Sequence, residues 1–380
     1  MHEGPVVVFS GGGTGGHLYP ALAIADALRD IRPDVQALFI GAERGLEARV
    51  LPERGERHVL LPVHGVDRAH PLSSWRALTG LGTSLARISR VFAEDRPEVV
   101  VVTGGYAGAP AGIMAGLTGV PLVLQEQNSV PGVVTRLLTR WACRVHVAFG
   151  DVIDHLPVAR DLAVVSGNPV REASGGGREV VRARWDIPAD AQLVLVAGGS
   201  QGSLALNRVV SEAVRAVARG ELLRPPQVRL LWSTGPRHID VVSSLLRECD
   251  SPEWVHAVPY IDDMPDALAA ADLAVCRAGA MSTAELLNQG LPAILVPFPF
   301  AAADHQMHNA RSLETAGVAV VAPESDLTGA ALWSELSRLL SEPALLARMR
   351  ESALALARPH AAHEIATDVA SLLVTPEVGR

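Results

Sequence analysis

The chain has 380 residues, of which 48% are hydrophobic and 19% charged, so it can bury large cores and is not intrinsically disordered. Its length favours two domains over one. The 33 basic and 41 acidic residues give a net charge of −8, which argues against nucleic acid as a partner.

The first predicted element is an apolar strand that runs into a glycine-rich turn and a helix, VVVFSGGGTGG at 6–16. Gly11, Gly13 and Gly16 fit G-x-G-x-x-G, the pattern of dinucleotide-binding folds, and Glu43 after the second strand could hold a ribose diol. Bare backbone at a helix N-terminus suits other anions equally well. The pattern therefore fits either a nicotinamide enzyme or a different phosphate-binding protein, and no GxxxxGK[ST] P-loop occurs.

Short apolar strands alternate with helical patterns along the whole chain, which predicts parallel sheets with right-handed crossovers. LVLVAGGSQG at 193–202 repeats the opening unit of strand, glycine turn and helix, and glycines interrupt the pattern at 172–181. We predict an α/β fold of two doubly wound, Rossmann-like domains, 1–172 and 173–380, with a cleft between the carboxyl ends of their sheets. The last helix could pack back on the first domain.

Nothing in the sequence predicts export or a membrane span. The first strand begins by Val6 with no basic segment before it, so no signal peptide is expected. The uncharged stretch 99–125 contains six glycines and two prolines, and is better interpreted as strand, turn, short helix and strand. The cysteines, at 143, 249 and 276, form no disulfide or zinc pattern and favour a reducing compartment.

Five segments combine glycine, polar and charged residues at predicted strand-to-helix junctions. They are GGGTGGHLYP, EQNSVPG, SGNPVR, GGSQGSLALN, and the stretch from CRAGAMSTAELL to DHQMHNA. Each alone could be structural, because Gly-Gly, Asn-Pro and Pro-Gly are common turn signals and Ser282 or Thr283 could simply cap a helix. Parallel α/β sheets collect functional residues at these junctions, so their joint occurrence favours a binding site.

Taken in order, these segments resemble the MurG family, the UDP-N-acetylglucosamine:undecaprenyl-diphospho-muramoylpentapeptide β-N-acetylglucosaminyltransferases. The matching blocks are GGGTGGHLYPALA, GAERGLEARVLP, GGYAGAP, EQNSVPG, GNPVR, GGSQG, YIDDM and DHQMHNA. The resemblance implies a GT-B fold, in which two Rossmann-like domains flank a cleft. It also implies peptidoglycan synthesis from UDP-N-acetylglucosamine and a polyprenyl-diphosphate-linked muramoylpentapeptide, with no cofactor.

The resemblance implies that the C-terminal half binds the donor. The expected substrate-binding residues are Arg171, Ser200, Ile261, Ala280, Met281, Ser282, Thr283, Ala284, Glu285 and Gln306. Glu285 is expected to bind both ribose hydroxyls, and Ser200 with the helix N-terminus at 280–283 to bind the diphosphate. The Ile261 backbone is expected to contact uracil, Gln306 to contact the sugar and Arg171 to be a cationic donor contact. Glu285 and Gln306 are also assigned to catalysis.

The N-terminal half is implied to bind the acceptor through Thr14, Gly15, Gly16 and Asn128. His17, at the start of the first helix, is the candidate general base. The family reaction inverts the anomeric carbon, since the acceptor 4-hydroxyl displaces UDP in line. The sequence contains no D-x-D pair, so no metal is expected and backbone amides, helix N-termini and Arg171 would stabilise the leaving diphosphate.

Two positions depart from the family pattern. Thr135 stands where many members have Asn, and Ser203 where Ala is common after GGSQG. Three other functions stay open from the residues alone: another GT-B glycosyltransferase, a UDP-N-acetylglucosamine 2-epimerase, or a nucleotide-sugar-binding module without catalysis. The binding module would need Glu285 and Ser200 but not His17.

A lipid acceptor without a spanning helix implies docking on an anionic membrane surface. The segment Pro71–Phe92 is the candidate, with an apolar stripe at Trp75, Leu78, Leu81, Leu85 and Ile88. Its only charges are Arg76, Arg87 and Arg90, to which Arg140 and Arg144 could add. The same stripe would equally suit a helix that packs on its sheet. The expected location is peripheral, on the cytoplasmic face of the plasma membrane.

Overall fold

The structure, a computed structural model, describes residues 4–13, 15–63, 74–157, 159–171, 177–301 and 304–374, with backbone alone at 74–81 and 177. The chain divides into two compact units, Met1–Arg171 with Pro359–Arg380, and Glu172–Arg358. Each contains one parallel sheet with helices around it. The predicted α/β class with two doubly wound sheets is confirmed.

The first unit has seven parallel strands in the order β3-β2-β1-β4-β5-β6-β7. The strands are β1 (Val6–Gly11), β2 (Gln36–Ala42), β3 (His58–Leu61), β4 (Val99–Gly104), β5 (Leu122–Glu126), β6 (Ala142–Val147) and β7 (Ala163–Val165). The helices are α1 (Gly15–Ile31), α2 (Glu47–Glu53), α3 (Ser74–Asp95), α4 (Gly108–Thr118), α5 (Val133–Leu138) and, from the end of the chain, α14 (Ala361–Ser371).

The second unit has six parallel strands in the order β10-β9-β8-β11-β12-β13. The strands are β8 (Gln192–Ala197), β9 (Val228–Ser233), β10 (Val255–Val258), β11 (Leu273–Cys276), β12 (Ala293–Leu295) and β13 (Ala319–Val321). The helices are α6 (Gly177–Ala183), α7 (Leu204–Ala218), α8 (Ile239–Glu248), α9 (Met264–Ala270), α10 (Ala280–Asn288), α11 (His305–Thr315), α12 (Gly329–Leu340) and α13 (Pro343–Leu356).

The strand order creates one switch point in each sheet. Winding reverses between β1 and β4 in the first sheet and between β8 and β11 in the second. At such a point the connections leave toward opposite faces, and a crevice opens outside the carboxyl ends of the two strands. The glycine turns after β1 and β8 both lie at these positions, which is where ligand-binding groups are expected.

The central strands are buried on both faces, as parallel sheets require. Every residue of β1, β4 and β5 is buried, which explains their near-continuous runs of valine and leucine. The stretch 99–125 forms β4, α4 and β5, as predicted. Across the described parts of the chain, no helix combines the length and hydropathy needed to span a membrane.

The last helix, α14, belongs to the first unit and packs on α1. Ile365, Ala366 and Val369 are fully buried in the core that covers one face of the first sheet. Asp368 on the same helix pairs with Arg144 Nε at 3.2 Å and faces His146 Nε2 at 3.2 Å, both on β6. Burial lowers the pKa of His146. Arg144, predicted as part of a basic membrane patch, is therefore paired within this unit.

Candidate functional site

The first glycine turn connects β1 to α1 and packs against a second turn after β4. Gly13 has φ of +95°, and a Cβ there would lie 2.6 Å from the Tyr106 ring. Gly105 has φ of +72°, and a Cβ there would lie 2.2 Å from the Gly12 carbonyl oxygen. Only glycine allows both the backbone conformation and the close approach. Gly15 and Gly16 begin α1, while Thr14 lies outside the described residues.

His17 lies in the first turn of α1, half-buried, with its ring against the Gly104–Gly105 backbone. Its Nδ1 is 2.9 Å from the Thr103 carbonyl oxygen and 3.1 Å from Gln127 Oε1. Both oxygens are acceptors, so Nδ1 must carry the hydrogen. In the neutral imidazole this leaves Nε2 unprotonated, with a lone pair that can accept a proton.

Gln127 holds this imidazole in place and was missed as a functional residue from the sequence. Its Nε2 donates to the Thr103 carbonyl at 2.6 Å, which orients Oε1 toward His17. Asn168 Nδ2 donates to the Gln127 carbonyl at 3.2 Å. Gln127 belongs to the EQNSVPG block, but the sequence analysis assigned a role only to its neighbour Asn128.

Glu47 on α2 is a second residue that sequence reasoning missed. It is fully buried, and its Oε1 accepts hydrogen bonds from the Gly13 N–H at 2.7 Å and the Ala42 N–H at 3.3 Å. Burial, and secondarily the charge of Glu47, raise the pKa of Tyr106. The first glycine turn is thus anchored from below by a carboxylate.

Glu126, at the end of β5, organises the predicted acceptor loop. Its Oε1 accepts from the backbone and side-chain nitrogens of Asn128, both at 3.1 Å, and its Oε2 accepts from the Gly132 N–H at 3.0 Å and the Thr135 hydroxyl at 2.6 Å. Thr135, a departure from the family pattern, is therefore buried and bonded to the same carboxylate that holds Asn128.

Arg171, at the end of the first unit, stacks on Tyr19 of α1. Its guanidinium carbon lies 4.2 Å from the ring centroid. Arg171 therefore lies beside the first turns of α1, and its role as a cationic donor contact stays a prediction.

The second glycine turn connects β8 to α7. Ser200 is half-buried in a turn that closes with a 2.9 Å hydrogen bond from the Gly202 N–H to the Gly199 carbonyl. Gly202 has φ of +76°, and a Cβ there would lie 2.1 Å from the Thr234 carbonyl oxygen. As in the first unit, glycine lets two strand-end turns touch at the switch point.

Helix α10 begins directly after β11, and its first turn contains Ala280, Met281 and Ser282. The first N–H groups of any α-helix have no acceptor within the helix and can bind an anion. Thr283 differs, because its N–H bonds to the Gly279 carbonyl at 2.9 Å and its hydroxyl to the Ala280 carbonyl at 2.9 Å. Its side chain is thus part of the helix start, and Ala284 follows it half-buried.

Glu285 is half-buried in the second turn of α10. Burial, together with the charge of Glu285, raises the pKa of the Cys276 thiol to about 12. Glu285 follows the first turn of α10, the helix that begins after β11. The raised pKa makes Cys276 an unreactive thiol.

Gln306, in the first turn of α11, faces the loop after β12. Its Oε1 accepts from the Phe298 N–H at 2.9 Å, and its Nε2 lies 4.0 Å from where a Gly279 Cβ would be. Asn309, which sequence reasoning missed, is buried and donates to the Ala278 carbonyl at 3.1 Å. Helix α11 is thereby fixed to the loop between β11 and α10.

Ile261 follows β10 and is only 3% exposed, within the core of the second unit. The expected contact of its backbone with uracil stays a prediction. The residues of this unit that the sequence predicts to bind the donor thus follow the carboxyl ends of β8, β10, β11 and β12. Within the described residues, no three His, Cys, Asp or Glu side chains are arranged to hold a metal ion.

The comparisons with known proteins cover both units. The profile of the glycosyltransferase family 28 N-terminal domain matches residues 7–147, and that of the family 28 C-terminal domain matches residues 193–365. The chain is 43% identical, over 97% of both chains, to the UDP-N-acetylglucosamine–N-acetylmuramyl-(pentapeptide) pyrophosphoryl-undecaprenol N-acetylglucosamine transferase of Salinibacter ruber. The enzyme of that name from Desulforudis audaxviator is 39% identical over 94% of this chain and 96% of its own.

Among solved structures, the chain is similar to a crystal structure of MurG from Acinetobacter baumannii. The TM-score is 0.69 at 27% sequence identity, over 97% of this chain and 99% of that one. The similarity therefore extends through both sheets and both candidate sites.

Proposed function

Because this chain belongs to the MurG family of N-acetylglucosaminyltransferases, we propose that it makes the disaccharide lipid precursor of peptidoglycan. It moves N-acetylglucosamine from UDP-N-acetylglucosamine to the 4-hydroxyl of the muramoyl residue of undecaprenyl-diphospho-muramoylpentapeptide. The observation that carries this proposal is the near-full-length similarity to enzymes of that name, together with the two turns described above.

In the proposed donor site, each group of UDP-N-acetylglucosamine meets a residue suited to it. Glu285 accepts hydrogen bonds from the two ribose hydroxyls, since one carboxylate has enough acceptor positions for a cis-diol. The diphosphate binds Ser200 and the N–H groups at the start of α10, where the helix dipole favours negative charge. The Ile261 backbone contacts uracil, and Gln306 contacts the sugar hydroxyls.

In the proposed acceptor site, the turns after β1 and β5 bind the lipid-linked sugar and His17 is the general base. Gly15, Gly16 and Asn128 supply polar contacts. The Thr103 carbonyl and Gln127 hold the Nδ1 hydrogen of His17, which fixes Nε2 as the proton acceptor. The same two oxygens stabilise the imidazolium that forms, because both lie against its Nδ1–H.

The reaction is a single displacement with inversion. The proton of the acceptor 4-hydroxyl passes to His17 Nε2, a bond forms between that oxygen and the anomeric carbon, and the bond from this carbon to the diphosphate oxygen breaks. UDP leaves with the electron pair, and the amides at the start of α10 stabilise its charge. An α-linked donor thus becomes a β-(1→4) product.

The test is incubation with radiolabelled UDP-N-acetylglucosamine and the muramoylpentapeptide lipid. We expect label in the lipid fraction and release of UDP. Transfer only to another acceptor would identify a different GT-B glycosyltransferase, and epimerisation at C2 without transfer would identify a 2-epimerase. Binding of UDP-N-acetylglucosamine without any product would identify a binding module.

We further propose that the enzyme works peripherally on the cytoplasmic face of the plasma membrane, through the first unit. Of the predicted stripe on α3, the side chains of Trp75, Leu78 and Leu81 lie outside the described residues. Ile88 is fully buried in the core and Leu85 is half-buried, so this face of the second half of α3 packs inside the unit. Arg87 is exposed and 3.6 Å from Glu43.

A surface formed by α5 and the residues that flank it also suits an anionic bilayer. Val130, Val133 and Leu137 are 41%, 59% and 37% exposed, and Arg136 and Arg140 are exposed beside them. Exposed apolar side chains among cations are the features that bind an interfacial protein to anionic lipids. This surface is therefore a second candidate for membrane contact, in addition to the stripe at the start of α3.

Cosedimentation with phosphatidylglycerol vesicles tests the membrane proposal. We expect retention of the wild type that weakens as salt rises. Val133→Glu with Leu137→Glu should reduce retention, and Trp75→Glu with Leu78→Glu tests the α3 stripe in the same way. Leu223→Glu with Val241→Glu is the matched control, since these side chains are 89% and 72% exposed on the second unit. Full retention by both test variants would contradict this location of the membrane surface.

A further inference from the structure

Ser203 ends the second glycine turn and its hydroxyl accepts two hydrogen bonds. The Leu206 N–H donates to it at 3.2 Å, which makes Ser203 the N-cap of α7. Arg277 Nη2 donates to it at 2.7 Å. Only 7% of Ser203 is exposed, so neither bond competes strongly with water. An alanine, common in the family at this position, would remove both.

Arg277, which follows β11, also contacts two other loops. Its Nη1 donates to the carbonyls of Val296 and Pro297 after β12, each at 3.1 Å. Its Nη2 also forms an ion pair with Glu324 at 2.5 Å. Arg277 is only 8% exposed, so the geometry of its guanidinium is set by these partners. A planar guanidinium bonded to several fixed acceptors holds the loops that contain those acceptors at a fixed spacing.

The loop held by Arg277 continues directly into the proposed sugar contact. The guanidinium carbon of Arg277 lies 5.4 Å from the centroid of the Phe298 ring, and the Phe298 N–H donates to Gln306 at 2.9 Å. A connected series of polar contacts therefore runs from Ser203 through Arg277 and the loop after β12 to Gln306. It joins the turn that contains Ser200 to the residue assigned to the sugar.

We propose that Ser203 is a positioning residue for the donor, and that its hydroxyl sets the spacing between the diphosphate-binding turn and the sugar-binding loop. The proposal rests on the donor site assigned above. Ser203 itself need not touch the substrate, because it acts through Arg277 and through the first turn of α7. Its loss should weaken binding of UDP and of the whole donor, with little effect on the chemical step.

The test is the affinity for UDP by titration calorimetry, with donor KM and kcat, for Ser203→Ala, Ser203→Gly and Ser203→Thr. Glycine is nearly as good an N-cap as serine, so Ser203→Gly removes the Arg277 acceptor while largely keeping the helix start. Threonine keeps the hydroxyl. Thr328→Ala is the matched control, because Thr328 caps α12 of the same unit with a 3.2 Å bond and is exposed.

We expect Ser203→Ala and Ser203→Gly to raise the Kd of UDP and the donor KM by about tenfold, as for loss of a hydrogen bond to a charged group. kcat should change by less than about twofold in these variants, since the lost contact affects ground-state binding. Ser203→Thr should restore the affinity. Thr328→Ala should lower the melting temperature as Ser203→Ala does, with unchanged UDP affinity.

Wild-type affinity in Ser203→Gly would overturn the proposal, as would equal weakening by Thr328→Ala. If Ser203→Ala does not fold, the glycine variant decides. Failure of the wild type to bind UDP would instead count against the proposed donor site itself.

Discussion

The two strand–glycine turn–helix units of this chain are anchored by side chains of opposite charge. Behind the turn after β1, the Glu47 carboxylate accepts the Gly13 N–H. Behind the turn after β8, the Arg277 guanidinium donates to Ser203. The backbones of the two turns are alike in their use of positive-φ glycine, but the charged side chains that contact them have opposite signs.

This difference bears on the tasks proposed for the two turns. An anion at the first turn would meet a carboxylate beneath it and find the Gly13 N–H already bonded, so its binding would fall to the start of α1. At the second turn the contacting group is a guanidinium that is itself paired with Glu324, and the diphosphate proposed there would be bound by the start of α10. Duplicated units of a fold can therefore diverge in ligand preference through one residue contributed by a distant segment.

The largest expected effect is that of His17→Ala, which tests whether the first turn serves the chemical step. Without a base, kcat should fall by about 10²–10⁴-fold, while the Kd of UDP stays unchanged. Steady-state kinetics and calorimetry measure the two quantities. His58→Ala is the control, because His58 Nδ1 also bonds to a backbone carbonyl, that of Glu56 at 2.7 Å. A normal kcat in His17→Ala would leave this histidine a structural role.

Glu285→Ala should have the next largest effect. That effect should be limited to the ligand of the second unit, which is measured as the Kd of UDP. Loss of charge-assisted hydrogen bonds to the ribose is worth about 1.5–3 kcal/mol, or roughly 10–150-fold in the Kd of UDP. Glu335→Ala is the control, because Glu335 lies in an exposed ion pair with Arg338 on α12. Unchanged UDP affinity in the Glu285 variant would remove this residue from the donor site.

Glu47→Ala tests the anchor of the first turn. The Gly13 and Ala42 N–H groups would lose their acceptor inside the protein, so the free energy of unfolding should fall by about 1–3 kcal/mol. The acceptor KM should rise while the Kd of UDP stays the same. Glu53→Ala on the same helix removes only a surface ion pair and should cost less than about 0.5 kcal/mol. Weaker UDP binding in Glu47→Ala would show that donor binding also depends on the anchor of the first turn.

Excess chelator should leave the rate of transfer unchanged, which is the smallest of the effects that we expect. If helix N-termini and backbone amides stabilise the leaving diphosphate, transfer needs no divalent ion. The rate of label transfer with and without EDTA measures this. Loss of activity that magnesium or manganese restores would contradict the amide-based account.

The fold was predictable from the sequence because its signals are local. Runs such as VVVV at 99–102 are typical of doubly buried strands, and glycine turns follow β1 and β8 where parallel sheets place their ligand sites. The glycines and prolines of the uncharged stretch 99–125 argued against a membrane-spanning helix there. Each of these inferences needs only a few neighbouring residues.

The supporting residues of the sites were not predictable in this way, because their partners are distant in the chain. Thr103 lies 86 residues from the His17 it orients, and Arg277 lies 74 residues from Ser203. Glu47 was within a quoted family block, but its role depends on how α2 packs against β1 and β2. Side-chain contacts of this kind follow from strand order and register, which no local pattern specifies.

The return of α14 to the first unit reverses the order in which the two cores can be completed during synthesis. Domains usually fold from the N-terminus as the chain emerges from the ribosome. Here the core of the first unit contains Ile365 and Val369, which are made after the whole of Glu172–Arg358. The second unit can close its core while the first still exposes the face of α1 that α14 covers. A chain that ended before α14 would therefore leave that apolar face uncovered.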